Sequence, residues 1–452
     1  MRVAIIGTGY VGLTTGICLA FVGHEVSCLD TDEAKIRDLK AAKIPIYEPN
    51  LQDLLEESLP NLNFTSSYAE AIPRAEVVFI AVGTPPTPSG APNLEFLSQA
   101  ARSIGQHAES GFIVVVNKST VPIGSGNWVG SLLREASEGR TNGNVPEFAV
   151  ASNPEFLREG SALHDSLYPD RIVIGADEAR ALEVLYTLYR PILDQTFPAP
   201  TYLPRPESVG AVPLLSTDLA SAELIKYAAN AFLALKISFI NEVGLLAERV
   251  GANIAEVGRG IGLDSRIGSR FLNAGIGWGG SCFGKDTAAL IATAGEYGLH
   301  LPIVEAARIV NSRQRDRVVE KLLAELKILK GRTIGLLGLA FKPNTDDLRE
   351  SPAVEIAQKL IDRGVRVKAH DPIACERFAR EHKAMCVQIC DSAEDVAEGC
   401  DALVLVTEWN EYRDLDWESI AKKMRSPFLL DGRHALDREK LTRAGVHYQA
   451  IN

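Results

Sequence analysis

Arg2-Val3-Ala4-Ile5-Ile6-Gly7-Thr8-Gly9-Tyr10-Val11-Gly12, followed at residues 25–30 by Glu25-Val26-Ser27-Cys28-Leu29-Asp30, decides how the rest of the chain is read. Residues 2–6 have the apolar character of a strand, residues 14–22 that of a helix ended by Gly23, and residues 25–29 that of a second strand. Between them stands G-x-G-x-x-G. In that order the glycines have separate tasks: Gly7 turns the chain tightly, Gly9 lets backbone N–H groups approach a pyrophosphate, and Gly12 allows close helix–strand packing. Asp30 lies about 20 residues further on, where a carboxylate accepts from a ribose 2′-hydroxyl. Asp30 and Asp32 repel a 2′-phosphate, so NAD is expected rather than NADP. The glycines alone would fit a plain structural turn; strand, helix, second strand and terminal Asp together point to a dinucleotide fold.

The alternation continues outward. Strands are expected at residues 75–82, 112–116 and 148–152, each rich in Val, Ile, Ala or Phe and each followed by breakers. Strands separated by helical patterns imply a parallel, doubly wound sheet, whose ligands sit at the carboxyl ends of the strands. Thr84, Thr120 and Glu155 then fall on the ligand-facing rim, where ordinary turn and cap chemistry is the competing explanation. The C-terminal third repeats the pattern, with strands at 334–339, 365–369, 401–407 and 428–430 and a helix at 352–363. Its first turn, Gly335-Leu336-Leu337-Gly338-Leu339-Ala340-Phe341-Lys342-Pro343, lacks the close-approach glycine, so a second dinucleotide is not expected there. Phe341, Lys342, Arg349 and Arg433 suit a base, ribose or phosphate; as basic or rim residues they equally suit a solvated surface.

Composition narrows the class. A chain of 452 residues is expected to form about three units, set here at 1–200, 210–312 and 313–452. Hydrophobic residues at 46% and charged residues at 23% exclude a disordered chain or a disulfide scaffold. The charge balance, 47 − 58 = −11, argues against nucleic acid as a partner. No run of about 18 apolar residues occurs, so no membrane span is expected, and the N-terminus does not read as a secretory signal. Seven cysteines, an odd number spread thinly, read as reduced thiols of a cytoplasmic protein.

Two segments carry chemistry. Neither Gly nor Pro occurs between Pro213 and Gly244, so residues 214–243 are expected to form one helix of roughly 45 Å, a spine between domains or a surface for a second subunit. Lys226 and Asn230, four apart, share one of its faces. A Lys among alanines and apolar residues is costly to bury unless paired or used; a snorkelling Lys is the alternative. The other segment is Phe271-Leu272-Asn273-Ala274-Gly275-Ile276-Gly277-Trp278-Gly279-Gly280-Ser281-Cys282-Phe283-Gly284-Lys285-Asp286. Its glycines suggest backbone lying against a ligand. Cys282 falls at or near a helix N-terminus with Lys285 close by, both of which favour thiolate, and Asp286 is one turn beyond. That is the setting of a nucleophile. A dinucleotide fold with an activated thiol, a buried Lys and a rim carboxylate suits full oxidation of an alcohol to an acid. The cysteine would capture the aldehyde as a thiohemiacetal, oxidation would give a thioester, and water would release the acid.

With these motifs in place the sequence closely resembles the UDP-glucose 6-dehydrogenase (UDP-glucose/GDP-mannose dehydrogenase) family over nearly its whole length. The resemblance rests on Gly7 to Gly12, Lys118-Ser119-Thr120-Val121-Pro122-Ile123-Gly124, Asn153-Pro154-Glu155-Phe156-Leu157-Arg158-Glu159-Gly160, Lys226 to Asn230, Gly279 to Asp286, and Ala340-Phe341-Lys342 with Arg349-Glu350-Ser351-Pro352. It implies an α/β chain of two doubly wound Rossmann-like domains joined by a long central helix used for dimerisation. The implied activity makes UDP-glucuronate from UDP-glucose with two NAD. By the same resemblance Cys282 is the nucleophile, and Lys226 and Asn230 hold the sugar C6 oxygen, Lys226 stabilising negative charge or acting as base. Asp286 and Thr120 position a water, and Glu155 assists thioester hydrolysis. The coenzyme is assigned Gly7, Gly9, Tyr10, Val11, Gly12, Asp30, Lys35, Thr84, Thr120, Glu155, Lys285 and Arg349. The nucleotide sugar is assigned Phe156, Leu157, Glu159, Phe271, Leu272, Asn273, Ala274, Gly275, Gly279, Phe283, Phe341, Lys342 and Arg433, with Arg266 from the same or a second subunit. No metal is implied. Two departures stand out: Gly284 where many members have Pro, and Trp278 where Phe is common. GDP-mannose or an N-acetylated UDP-amino sugar remain alternative substrates. A single-step hydroxyacid dehydrogenase would leave Cys282 without a task, and a nucleotide-binding sensor would also leave Lys226 and Glu155 without one.

Overall fold

The computed structural model describes residues 1–88, 90–109, 111–138 and 146–451. These divide into two compact units, one of Met1–Ala229 with Ala288–Tyr297, the other of Asn230–Thr287 with the chain from Gly298 onward. The stretch 210–312, set apart in the sequence as a region of its own, is shared between the two units. It holds a short strand at Leu214–Thr217, the helices Leu219–Val250, Ile254–Gly262 and Ser281–Glu296, the start of the helix Pro302–Leu326, and the loop at residues 263–280.

Among the described residues the first unit is built on an eight-stranded sheet: β1 (Arg2–Ile6), β2 (Glu25–Leu29), β3 (Leu62–Thr65), β4 (Val77–Ile80), β5 (Phe112–Asn117), β6 (Glu147–Ser152), β7 (Ile172–Ala176) and β8 (Leu214–Thr217). Their order is β3-β2-β1-β4-β5-β6-β7-β8. Only β6 and β7 run antiparallel. β1, β4 and β5 are almost wholly buried, as runs of Val and Ile covered on both faces must be. The second unit repeats the design with β9 (Thr333–Leu337), β10 (Arg366–His370), β11 (Val387–Ile389), β12 (Ala402–Leu405), β13 (Phe428–Asp431) and β14 (His447–Ala450). Its order is β11-β10-β9-β12-β13-β14, parallel throughout. Both sheets therefore follow the 3-2-1-4-5-6 order of dinucleotide folds, with the switch point beside the first strand. The short strands β3, β8, β11 and β14 were not legible as strands in the sequence. They are only three or four residues long and lie at sheet edges, where alternation has little length in which to show.

The long helix runs Leu219–Val250 rather than over 214–243. Residues 214–217 pair with β7 as β8 instead, and Gly244 lies inside the helix, at a cost of about 1 kcal/mol relative to Ala, with the end deferred to Gly251 at φ +74°. By length and composition this helix could cross a membrane, with a mean hydropathy of 1.3 over its most apolar window. The sequence expectation of no such segment looked for an unbroken apolar run, which Lys226 and Lys236 interrupt. Three of the polar side chains along the helix nevertheless bond to neighbouring protein. Glu223 accepts from the N–H groups of Gly124 at 2.6 Å and Gly126 at 2.9 Å; Ser238 donates to the Ala307 carbonyl at 2.7 Å and Asn241 accepts from Gly275 N–H at 2.7 Å.

Glu223 anchors the first turns of this helix, and burial pushes its carboxyl up to about 7, against an ordinary 4.5. The folded state holds that proton more tightly than the unfolded chain does. The stabilisation is therefore complete below about pH 4.5 and lost as pH rises through about 7. Thermal unfolding between pH 5 and 7.5 should show Tm falling in the native protein, with a flatter profile for Glu223→Gln; parallel profiles would contradict this assignment.

Candidate active site

The turn after β1 has the three-glycine geometry its sequence announces. Gly7 has φ +95°, and a Cβ on Gly12 would stand 1.9 Å from the Gly7 carbonyl oxygen. A Cβ on Gly9, in contrast, would meet nothing within 4 Å. The turn is thus packed tight at its two ends and open at its middle, leaving space for a ligand to approach the backbone where the helix Tyr10–Phe21 begins. Asp30, at the end of β2, accepts from Thr8 N–H at 2.9 Å and Thr8 Oγ1 at 2.7 Å. Lys35 reaches the same carboxylate oxygen at 2.9 Å. Burial raises the Asp30 pKa, but Lys35 and the Thr8 donors outweigh it and hold the carboxyl below its usual range. Its other oxygen receives the Asp32 N–H at 3.1 Å, and the second lone pair of that oxygen suits a ribose hydroxyl. The residues present fit a dinucleotide.

The equivalent place in the second unit does not. Asp371, after β10, is buried. It accepts from the N–H groups of Leu339, Ala340, Ile373 and Ala374 and from the Trp409 indole. Five protein donors leave this carboxylate no capacity for a ribose hydroxyl.

Further along the rim of the first unit, Thr84 Oγ1 donates to the Thr120 carbonyl at 3.0 Å, tying together the loops after β4 and β5. Lys226 is buried and paired, not snorkelling: its Nζ donates to the Glu155 carbonyl at 2.6 Å and to Glu155 Oε1 at 2.9 Å. Leu157 N–H donates to the other carboxylate oxygen at 2.6 Å. Burial alone would raise the Glu155 pKa, yet Lys226, the Leu157 N–H and Lys118 hold it below normal. The Phe156 ring lies under both Lys226 Nζ, at 5.4 Å, and the Arg171 guanidinium, at 3.8 Å. Lys118, to which the sequence gives no separate role, is a further member of this cluster. It donates to Asn153 Oδ1 at 2.8 Å, and burial pushes its ammonium down to about 8. Asn153 also accepts from Tyr189 OH at 2.6 Å.

In the second unit, Cys282 is exposed while the loop before it, from Ala274 to Gly280, is buried. It occupies the first turn of the helix Ser281–Glu296. The six other cysteines are also reduced. Asp286, four residues on and therefore on the same helix face, accepts from Asn230 Nδ2 at 2.6 Å and from Lys285 Nζ at 2.6 Å. Lys285 thus serves Asp286. The loop glycines have a task different from the expected one. They admit neighbouring protein: Gly280, at φ +82°, would place a Cβ 2.7 Å from the Phe341 ring. Phe283 packs edge-on against Phe271 and Trp278. Leu272 is buried, and Asn273 is exposed beside it. A Cβ on Gly275 would collide with the Gly432 carbonyl and one on Gly279 with that of Glu350.

Arg433 donates to the carbonyls of Val406 at 2.7 Å, Gly277 at 3.0 Å and Phe341 at 3.4 Å, so it braces this loop. Lys342 Nζ lies 5.4 Å from the Phe341 ring centroid, and Arg349 is clasped by Asp347 at 2.7–2.9 Å. Glu159 is half-buried. Arg266 is exposed and folds back onto Asp264 at 2.6 Å, so this unit does not draw it into the cluster. The missing side chain of Gly284 leaves the space that the Glu350 carboxylate occupies.

Sequence reasoning missed what holds the loop before Cys282. Asn311 accepts from Trp278 N–H at 2.8 Å and donates to its carbonyl at 3.0 Å. Arg315 donates to the same carbonyl at 2.7 Å, and Arg308 donates to the Gly284 carbonyl at 2.6 Å. All three lie on the helix Pro302–Leu326. Their spacing, i, i+3 and i+7, marks one helix face, but a polar face of that kind looks like a solvated one until the loop is seen against it.

Matches to known families agree with this geometry. The chain matches the UDP-glucose/GDP-mannose dehydrogenase family in its NAD binding domain over residues 1–193, its central domain over 220–313 and its UDP binding domain over 335–438. The chain belongs to this family. It is 44% identical to UDP-glucose 6-dehydrogenase TuaD of Bacillus subtilis, covering 100% of this chain and 93% of that one. It is equally 44% identical to a UDP-glucose 6-dehydrogenase of Rhizobium meliloti, covering 100% and 99%. Among solved structures it superposes on a UDP-glucose dehydrogenase from Pyrobaculum islandicum with a TM-score of 0.88 at 39% identity, covering 99% and 97%. It superposes on a UDP-D-ManNAc dehydrogenase from Pyrococcus horikoshii with a TM-score of 0.83 at 28% identity, covering 100% and 99%.

The Lys226–Glu155 pair yields a stability prediction. Removing one partner of a buried pair typically costs about 3–5 kcal/mol, whereas replacing both by apolar groups is often neutral. In urea unfolding, Lys226→Met should therefore destabilise by about 3 kcal/mol, and Lys226→Met combined with Glu155→Leu should recover most of the loss. Additive losses would mean that the two charges do not depend on each other.

Proposed function

We propose that this protein oxidises UDP-glucose to UDP-glucuronate in two NAD-dependent steps, with Cys282 carrying the substrate between them. The observation that bears most weight is an exposed thiol on the first helical turn after a buried, braced loop. A nucleophile must be accessible, and its attack geometry must be fixed. The helix N-terminus favours its thiolate.

NAD, when bound, accepts the two electrons and the hydrogen removed in each oxidation. Gly7, Gly9, Tyr10, Val11 and Gly12 hold its pyrophosphate and Asp30 its ribose, with Lys35, Thr84, Thr120, Glu155, Lys285 and Arg349 completing the coenzyme contacts. Phe341, Lys342 and Arg433 hold the nucleotide of the substrate. Phe156, Leu157, Glu159 and the loop Phe271, Leu272, Asn273, Ala274, Gly275, Gly279 and Phe283 enclose its sugar, with Arg266 contributed by a second subunit. Lys226 and Asn230 hold the C6 oxygen, and the Lys226 ammonium stabilises the negative charge that develops there as the hydroxyl proton passes to water. At the aldehyde stage the Cys282 thiolate adds to C6, the carbonyl π bond opens onto the C6 oxygen, and that oxygen takes a proton from water, giving a thiohemiacetal. Its oxidation leaves a thioester. A water positioned by Thr120 and Asp286, with Glu155 taking one of its protons, attacks C6; the C–S bond breaks, the sulfur leaves as the Cys282 thiolate, and the acid releases its remaining proton to solvent to become the carboxylate. UDP-glucose is favoured over amino sugars because the 44% identical relatives are UDP-glucose enzymes, whereas the ManNAc enzyme is at 28%. Within this reading residues 1–200 serve the coenzyme, 210–312 carry the nucleophile and the dimer contact, and 313–452 hold the nucleotide sugar.

The enzyme acts in the cytoplasm as a homodimer formed through the central helix. Phe232, Phe239 and Leu246, spaced by seven residues along that helix, are 61%, 52% and 63% exposed. Phe232 and Phe239 line a groove of about 670 Å³ together with further apolar residues, including Ile267 and Ile303. A heptad-spaced apolar stripe of this kind suits the same stripe of a second copy.

Three outcomes test the reading. Purified protein should form two NADH for each UDP-glucose consumed, and Cys282→Ala should abolish net acid formation; one NADH per sugar, or acid formed without the thiol, would overturn the thioester route. Phe239→Glu should convert a dimer to a monomer in light scattering behind size exclusion, and an unchanged mass would remove this helix from the interface.

A further inference from the structure

Glu48 lies between Pro45 and Pro49, outside both the coenzyme turn and the segment that carries Glu155. It is buried, at 7% exposure, and three donors converge on its carboxylate. Tyr10 OH donates to Oε2. Gly160 N–H donates to the same oxygen at 2.6 Å, and Ala162 N–H donates to Oε1 at 2.6 Å. Gly160 N–H also reaches the Tyr10 hydroxyl oxygen at 3.0 Å. These contacts join two segments 150 residues apart in sequence. Tyr10 opens the helix that follows the coenzyme turn. Gly160 and Ala162 end the segment that carries Glu155, Phe156, Leu157 and Glu159. A buried carboxylate bonded to three donors is a stiff connector, since without it the Tyr10 hydroxyl and the Ala162 N–H would lose their acceptor.

We propose that Glu48 is a positioning residue that locks the coenzyme turn to the substrate segment, so that the seating of either ligand depends on the other. The proposal rests on the reading that Gly7 to Gly12 hold NAD and that Phe156 to Glu159 line the sugar pocket. Glu48 touches neither ligand in this account and acts through Tyr10 and Gly160. The bridge has a consequence that no local role of Tyr10 would produce. Tyr10 belongs to the coenzyme turn, yet loss of its hydroxyl should disturb the sugar.

Steady-state kinetics on the full-length enzyme test this. Tyr10→Phe removes one donor and leaves both backbone bonds to Glu48. It should raise KM for UDP-glucose as well as KM for NAD by about threefold. Glu48→Gln places an amide NH₂ against backbone donors and should raise both KM values by about tenfold, and the double variant should be no worse than Glu48→Gln alone. NADH titrated by fluorescence, in the presence and absence of UDP-glucose, should show mutual strengthening in the native enzyme and independence in Glu48→Gln. A purely structural Glu48 would instead lower Tm and the active fraction while leaving both KM values unchanged, and that result would overturn the proposal. Gly9→Val serves as the control for the underlying reading. If it weakens NAD binding while the Glu48 and Tyr10 variants leave KM for UDP-glucose untouched, the bridge alone is wrong. If Gly9→Val leaves NAD binding intact, the assignment of the coenzyme turn falls, and the proposal with it.

Discussion

The ion pair between Lys226 and Glu155, held at 2.9 Å with both side chains nearly excluded from water, is the constraint on which the first unit's rim depends. Two charges so placed are unfavourable singly and tolerable only together, because the interior offers neither of them water. The pair therefore fixes a lysine on the long helix against the loop after β6 and leaves little freedom for either. Lys118 adds a third charge close by, and its lowered pKa is the expected response of an amine placed in dry surroundings beside another cation. A cluster of this kind concentrates perturbed titratable groups at the carboxyl ends of parallel strands, where doubly wound sheets bind their ligands.

The second unit solves a different problem. A loop that presents the proposed nucleophile has to be exposed at one atom and immobile everywhere else. Here the exposed residue is Cys282, and the immobility comes from carbonyl groups gripped from one helix, the Trp278 carbonyl by Asn311 and Arg315 and the Gly284 carbonyl by Arg308. Phe341 lies against Gly280 from the other side. Glycine is needed in this loop because neighbouring protein approaches its backbone. The same crowding explains Gly284, whose absent side chain leaves room for the Glu350 carboxylate.

The two sheets share strand order and differ in the turns that leave their first strands. Asp30 keeps acceptor capacity on one oxygen, while Asp371 is saturated by five protein donors. One fold thus supplies a coenzyme turn in one unit and a closed structural turn in the other, the difference lying in a glycine pattern and the hydrogen bonds around one carboxylate.

The sequence by itself determined the α/β class, the bounds of β1 and β2 and the coenzyme turn with its terminal Asp30, and it singled out Cys282, Lys226, Asn230, Asp286 and Glu155 as candidates for chemistry. All of these follow from local rules: periodicity over a few residues, glycine at defined offsets, and charge set against an apolar neighbourhood. Tertiary structure alone decided that residues 214–217 pair as a strand instead of opening the helix, that Lys226 takes Glu155 as partner, and that Glu48, Asn311 and Arg315 matter at all. The loop and turn groups that give those last three residues their roles stand from 33 to 114 residues away. A hydrogen bond across such a distance in sequence leaves no periodic trace along the chain, because a buried donor or acceptor constrains only the geometry of its partner and not its place in the sequence.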